Sequence, residues 1–119
     1  MGKYYEPTFY TKVTNHYGDV ILDGEANAKI AMAEDTAVIM NHMLQNVVNH
    51  GTGTSIRSYL PTMKVFGKTG TTDDSHNLWF AGGTPYYVAS CWYGYDQPQK
   101  VTAGNSARKV WGNIMRDIH

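Results

Sequence analysis

Three runs with strong strand character follow one another in the second half of the chain: Val65 to Thr72, Leu78 to Gly83 and Tyr86 to Tyr95. Only "TDDSHN" separates the first two, and only "TP" the second pair. Parallel strands need a crossover of a dozen or so residues, so connections this short force an antiparallel meander. Two amphipathic stretches bracket it. In "KIAMAEDTAVIMNHMLQNVVNHG", residues Ile39, Met40, Met43, Leu44, Val47 and Val48 recur at helical spacing and form one broad apolar face. Glu34 and Asp35 suit the start of that helix and Gly51 its stop. In "SARKVWGNIMRDIH", Ala107, Val110, Trp111, Ile114 and Met115 share a face, with Ser106 or Asn105 as N-cap.

Upstream, "KYYEPTFYTKVTNHYGDVILDG" reads as an extended arm and then a β-hairpin. Its arms are Tyr10 to Thr14 and Val20 to Leu22, and Asn15, Gly18 and Asp19 supply the turn. "GTGTSIRSYLPTMK" and "DQPQKVTAGN" read as loops. The expected fold class is α+β, an antiparallel β-sheet with helices packed on it, in one domain spanning residues 1–119.

Composition narrows the function classes. Hydrophobic residues make up 42% and charged residues 17%, a globular balance. Ten Lys and Arg offset ten Asp and Glu, so no basic excess argues for a nucleic-acid partner. No leader pattern and no apolar run near 18 residues is present, so the chain as it stands is expected to be soluble. One cysteine, Cys91, excludes an internal disulfide and a Cys-based zinc site, and its strand setting reads as a buried small hydrophobe. His42 and His50 are eight residues apart, and His16, His76 and His119 lie in a turn, a loop and the terminus. No metal and no cofactor is expected. Asp73 and Asp74 read as loop residues rather than paired catalytic carboxylates.

The chemistry-bearing stretch is "VFGKTGTT", Val65 to Thr72. A phosphate-binding loop with Gly67-Lys68-Thr69 at its end requires glycine at position 62, where Thr62 stands, and a helix directly after, where "GTTDDSHN" follows. The nucleotide reading fails on both counts. As a strand, Lys68, Gly70 and Thr72 face one side, and Thr69 and Thr71 the other. Gly70 lets an extended peptide approach the strand edge, and hydroxyls beside an ammonium hold a carboxylate. A bare Lys-Thr-Gly is also compatible with an ordinary exposed strand.

The surrounding residues sharpen this. Lys68-Thr69-Gly70-Thr71-Thr72, then Trp79-Phe80-Ala81-Gly82 and Thr84-Pro85, then Gly94-Tyr95-Asp96 resemble the C-terminal part of the transpeptidase domain of penicillin-binding proteins, the bifunctional high-molecular-weight class above all. "EPTFYTKVTNHYGDVIL" and "MLQNVVNHGTGT" resemble the segments that precede Lys-Thr-Gly in that family.

The resemblance implies a fragment of a D,D-transpeptidase that cross-links peptidoglycan by serine acyl transfer. Lys68 is then the catalytic residue in this chain, and Thr69, Gly70, Thr71 and Thr72 bind substrate. The implied partners are the peptidoglycan stem peptide and β-lactams. The implied location is the extracytoplasmic face of a bacterial cell membrane, with membrane attachment only through an N-terminal anchor of the longer protein.

In the family the nucleophile motif Ser-x-x-Lys and then Ser-x-Asn precede Lys-Thr-Gly. Here the matching strings, Ser75-His-Asn77 and Ser106-Ala-Arg-Lys109, both follow it and in reverse order. They read as a polar loop and a helix cap. The chain alone is therefore expected to be inactive, without its nucleophile. The alternative is a non-catalytic binding or assembly module that pairs through its strand edge and an exposed core. Self-association of a truncated domain through that face is expected on either view.

Overall fold

A computed structural model describes residues 1–24, 27–102, 104 and 106–119. Its contacts divide the chain into two compact units, Met1–Ile39 and Met40–His119. The helix α1 (Glu34–His50) runs through the division.

The first unit holds two antiparallel ribbons. Strand β1 (Lys3–Tyr5) pairs with β4 (Ala28–Ile30), Lys3 opposite Ile30. Between them in sequence, β2 (Lys12–Thr14) pairs with β3 (Val20–Asp23) as the expected hairpin. Its turn is built by one side chain. The Asn15 Oδ1 accepts the amides of Tyr17 and Asp19, both at 2.9 Å, and Gly18 takes the left-handed φ of 93°. The β1–β4 pairing gives the expected extended arm a partner strand. No described residue of this unit is buried, so backbone bonding and turn chemistry hold the ribbons rather than a core of their own.

The second unit carries the core. Strands β5 (Phe66–Thr71), β6 (Asn77–Gly83) and β7 (Val88–Gly94) form an antiparallel sheet in the order β5-β6-β7, as the short connections require. The β6–β7 turn is closed by buried Thr84, whose Oγ1 accepts the amides of Tyr86 and Tyr87 at 3.2 Å. Helix α2 (Ser106–Ile118) lies on one face of the sheet. Its Trp111 is 1% exposed and meets the fully buried Phe80 of β6 edge to face, ring centroids 5.0 Å apart. Val48, Ile56, Leu60, Val65, Leu78 and Met115 complete the centre of the core. Gly112 lets α2 close on Tyr59, since a Cβ there would stand 2.5 Å from the tyrosine ring.

Several expectations need correction. Residues 51–64 are not a plain loop: Thr54–Ser58 is a turn of 3-10 helix that buries Ile56 completely. The apolar face of α1 enters the core only at its C-terminal end, where Val48 is buried. Ile39, Met40 and Met43 remain 61%, 45% and 58% exposed. Helical periodicity identifies an apolar face but not what covers it. On α2, Val110 and Ile114 are exposed while Ala107, Trp111 and Met115 are buried, so the buried stripe is narrower than the apolar one. Ser106 begins α2 and is buried, and Asn105, the other cap candidate, lies outside the described residues. Cys91 is only partly buried. That burial pushes its thiol pKa up, against the opposing backbone contact to Trp111.

Candidate functional site

Strand β5 is an edge strand, so one row of its backbone groups has no partner in the sheet. Just past its end, the Thr72 amide donates inward to the Asn77 carbonyl at 3.2 Å. Antiparallel alternation then turns the amides and carbonyls of Lys68 and Gly70 toward β6, and those of Thr69 and Thr71 outward. The Lys68 ammonium fits this assignment: it lies along the edge and donates to the Thr69 carbonyl at 3.0 Å. Side chains alternate independently of this. Thr69 and Thr71 stand opposite Phe80 and Leu78, on the core side, and Lys68 and Gly70 opposite Ala81 and Trp79, on the outer side. Gly70 packs closely on β6, where a Cβ would lie 3.3 Å from that of Trp79.

An open cleft of about 140 Å³ runs along this edge. Thr69, Gly70 and Thr71 form one wall. Thr52 of the loop after α1 closes one end, and Ala107 and Arg108 of α2 form the opposite side, with Leu78 and Trp79 behind β5. Two contacts tie these elements together. The hydroxyls of Thr52 and Thr69 are hydrogen-bonded at 2.8 Å. The Arg108 guanidinium donates through Nη1 to the Thr52 carbonyl and through Nη2 to the Gly104 carbonyl, the latter at 3.1 Å. None of the described lining residues is acidic, and with Lys68 beside Thr69 the cleft presents cations and hydroxyls. That is the donor set for a carboxylate accompanied by an extended backbone.

The structure thus brings Thr69, Gly70 and Thr71 together at one cleft, with Lys68 at its margin. Thr72 is not among the lining residues. Its hydroxyl accepts the Asn77 amide at 3.1 Å and its carbonyl the Ser75 amide at 2.8 Å, closing the β5–β6 turn. Thr52 and Arg108 were not legible as site residues, since only the fold brings positions 52, 69 and 108 together.

The two serine strings have other employment. Ser75 takes a positive φ of 56° in the turn, and its carbonyl accepts the Val101 amide at 2.9 Å. Asn77 Oδ1 accepts the Trp92 indole N–H at 2.8 Å. Ser106 is buried at the start of α2 and does not line the cleft, and Lys109 is exposed. Trp79 and Trp92 are 47% and 41% exposed on the outer face of the sheet, with Trp111 alone of the three tryptophans in the core. Among the described residues no helix is long and apolar enough to cross a membrane.

Comparison with known proteins agrees with this fold. The family model described as the penicillin binding protein transpeptidase domain matches residues 1–118. The chain is 42% identical over 116 residues to penicillin-binding protein 1A of Clostridium acetobutylicum, a match covering 97% of this chain and 14% of that protein. It is 40% identical over 120 residues to the Clostridium botulinum protein of the same name, covering 99% and 14%. The chain therefore spans about one seventh of the length of these curated relatives. The crystal structure of penicillin-binding protein 1A from Haemophilus influenzae shares the fold with a TM-score of 0.82 at 18% identity, covering 98% of this chain and 24% of that one. The mixed fold of antiparallel sheets and two helices, the family match and the relatives all converge, and the chain belongs to the penicillin-binding protein transpeptidase domain family.

Proposed function

We propose that this chain is the C-terminal portion of a D,D-transpeptidase domain, that it supplies the strand which grips the peptidoglycan stem peptide, and that the attacking serine comes from residues outside it. The observation that carries this reading is the cationic, hydroxyl-lined cleft along the outward edge of β5. Family membership supports acyl transfer as the chemistry. A serine adds to the carbonyl between two terminal D-alanines, the C–N bond breaks, and the last D-alanine leaves. The acyl-enzyme is then resolved by an amine of a neighbouring strand.

In this scheme the outward amide and carbonyl of Thr69 and Thr71 pair with the extended substrate. The Thr71 amide is directed at the developing oxyanion. Lys68 and the threonine hydroxyls hold the terminal carboxylate, and Gly70 admits the peptide to the edge. Thr72 contributes by fixing the turn that ends the strand. A β-lactam occupies the same edge and leaves the serine acylated. The reaction takes place on the extracytoplasmic face of a bacterial membrane, where stem peptides lie.

The test is peptide mapping after a fluorescent penicillin has labelled the full source polypeptide. The label is expected on a serine outside residues 1–119. Label on the peptide containing Ser106 would overturn the reading.

A further inference from the structure

We infer that Thr52 is a further carboxylate-binding residue of this site and that Arg108 is the residue that positions it. The inference rests on the transpeptidase reading and adds two residues from outside the Lys-Thr-Gly strand. It starts from the protons that the cleft hydroxyls carry. The hydroxyls of Thr52 and Thr69 carry two protons between them and share one hydrogen bond of 2.8 Å, so one O–H remains for another acceptor. The Lys68 ammonium can only donate, and it points at Thr69 Oγ1 from 3.5 Å as well as at the Thr69 carbonyl. Thr69 Oγ1 serves as acceptor toward Lys68, and in the direction we assign to the Thr52–Thr69 bond, one of the two open to it, it also gives its own proton to Thr52. The Thr52 proton is left for the cleft that Thr52 lines, where no other hydrogen-bond partner of that hydroxyl stands among the described residues.

In this direction a relay runs from Lys68 through Thr69 to Thr52, and it ends in an outward donor. A donor at the end of such a chain is polarised by the cation at its start. Its aim depends on where Thr52 is held. Thr52 is exposed between Gly51 and the buried Gly53, whose amides both donate to the Val47 carbonyl at 3.0 Å and fix the loop on the end of α1. The Arg108 guanidinium adds a restraint on the Thr52 peptide itself by bridging the Thr52 and Gly104 carbonyls from α2. Its charge also borders the cleft, in which no described residue is acidic.

The test uses the full source polypeptide and measures acylation rates with one fluorescent penicillin as free acid and as methyl ester. Thr52→Val, which keeps the shape, is expected to slow acylation by the free acid about tenfold, as for a lost hydrogen bond to a charged group. Arg108→Ala is expected to do the same, the double variant no worse than either, and Arg108→Lys to recover most of the loss. With the ester all variants should match the unsubstituted protein, a distinction that a general structural defect would not produce. Equal losses with acid and ester, or no loss with either, would overturn the inference while leaving the transpeptidase reading intact. If the unsubstituted polypeptide is not acylated at all, both fall together.

Discussion

Trp111→Ala is expected to destabilise the second unit by about 3–5 kcal/mol, the cost of deleting a large aromatic side chain from a packed core. The indole is 1% exposed, stacks edge to face on Phe80, and donates its N–H to the Ala89 carbonyl of β7 at 3.0 Å. Its removal opens a cavity between α2 and the sheet and strips Ala89 of its hydrogen bond. Domains of this size are stable by about 5–15 kcal/mol, so the loss is a large share of the total. Trp111→Phe keeps most of the packing and is expected to lose less, mainly the indole hydrogen bond, about 1–3 kcal/mol. Urea unfolding followed by tryptophan fluorescence and by circular dichroism measures both. A loss below about 1 kcal/mol for the alanine variant would show that α2 does not anchor the sheet, since deletions of this kind normally cost far more.

Lys68→Ala is expected to slow acylation of the full source polypeptide by a penicillin about 100-fold or more, the scale seen when a preorganised donor is removed from an acyl-transfer site. The ammonium lies on the outward edge of β5, beside the groups assigned to the substrate, and no acidic described residue in the cleft competes for it. Lys68→Arg retains the charge but not the compact point donor, and is expected to recover only part of the rate. Thermal unfolding should barely change in either variant, because Lys68 is exposed and makes no ion pair among the described residues. An unchanged acylation rate in Lys68→Ala would remove this residue from the site.

The sheet and the second helix were legible because their signals are local. Short connectors allow β5, β6 and β7 only an antiparallel meander, and the alternation in "NLWFAGG" places Leu78 and Phe80 in the core. The β1–β4 ribbon was not legible. Its residues are all exposed, and partners such as Lys3 and Ile30 are far apart in sequence, with no alternation to betray them. The 3-10 turn was hidden for a related reason: a single Ile56 in a run of Gly, Thr and Ser carries no period, although it is fully buried.

The site divides in the same way. Lys68, Thr69, Gly70 and Thr71 are contiguous and readable as a strand edge. Thr52 and Arg108 join them only through a hydroxyl contact spanning 17 residues and a guanidinium contact spanning 56. Thr72 shows the opposite limit, since it shares the motif but spends its hydroxyl on the turn.

The central claim is that this chain provides the gripping edge of a serine acyltransferase and not its nucleophile. The most direct measurement is the intact mass of the 119-residue chain after incubation with excess labelled penicillin. The mass is predicted to stay unchanged, with neither an adduct nor turnover of the β-lactam. A stoichiometric increase by the mass of the penicillin would contradict the claim and return Ser106 to consideration as the attacking residue.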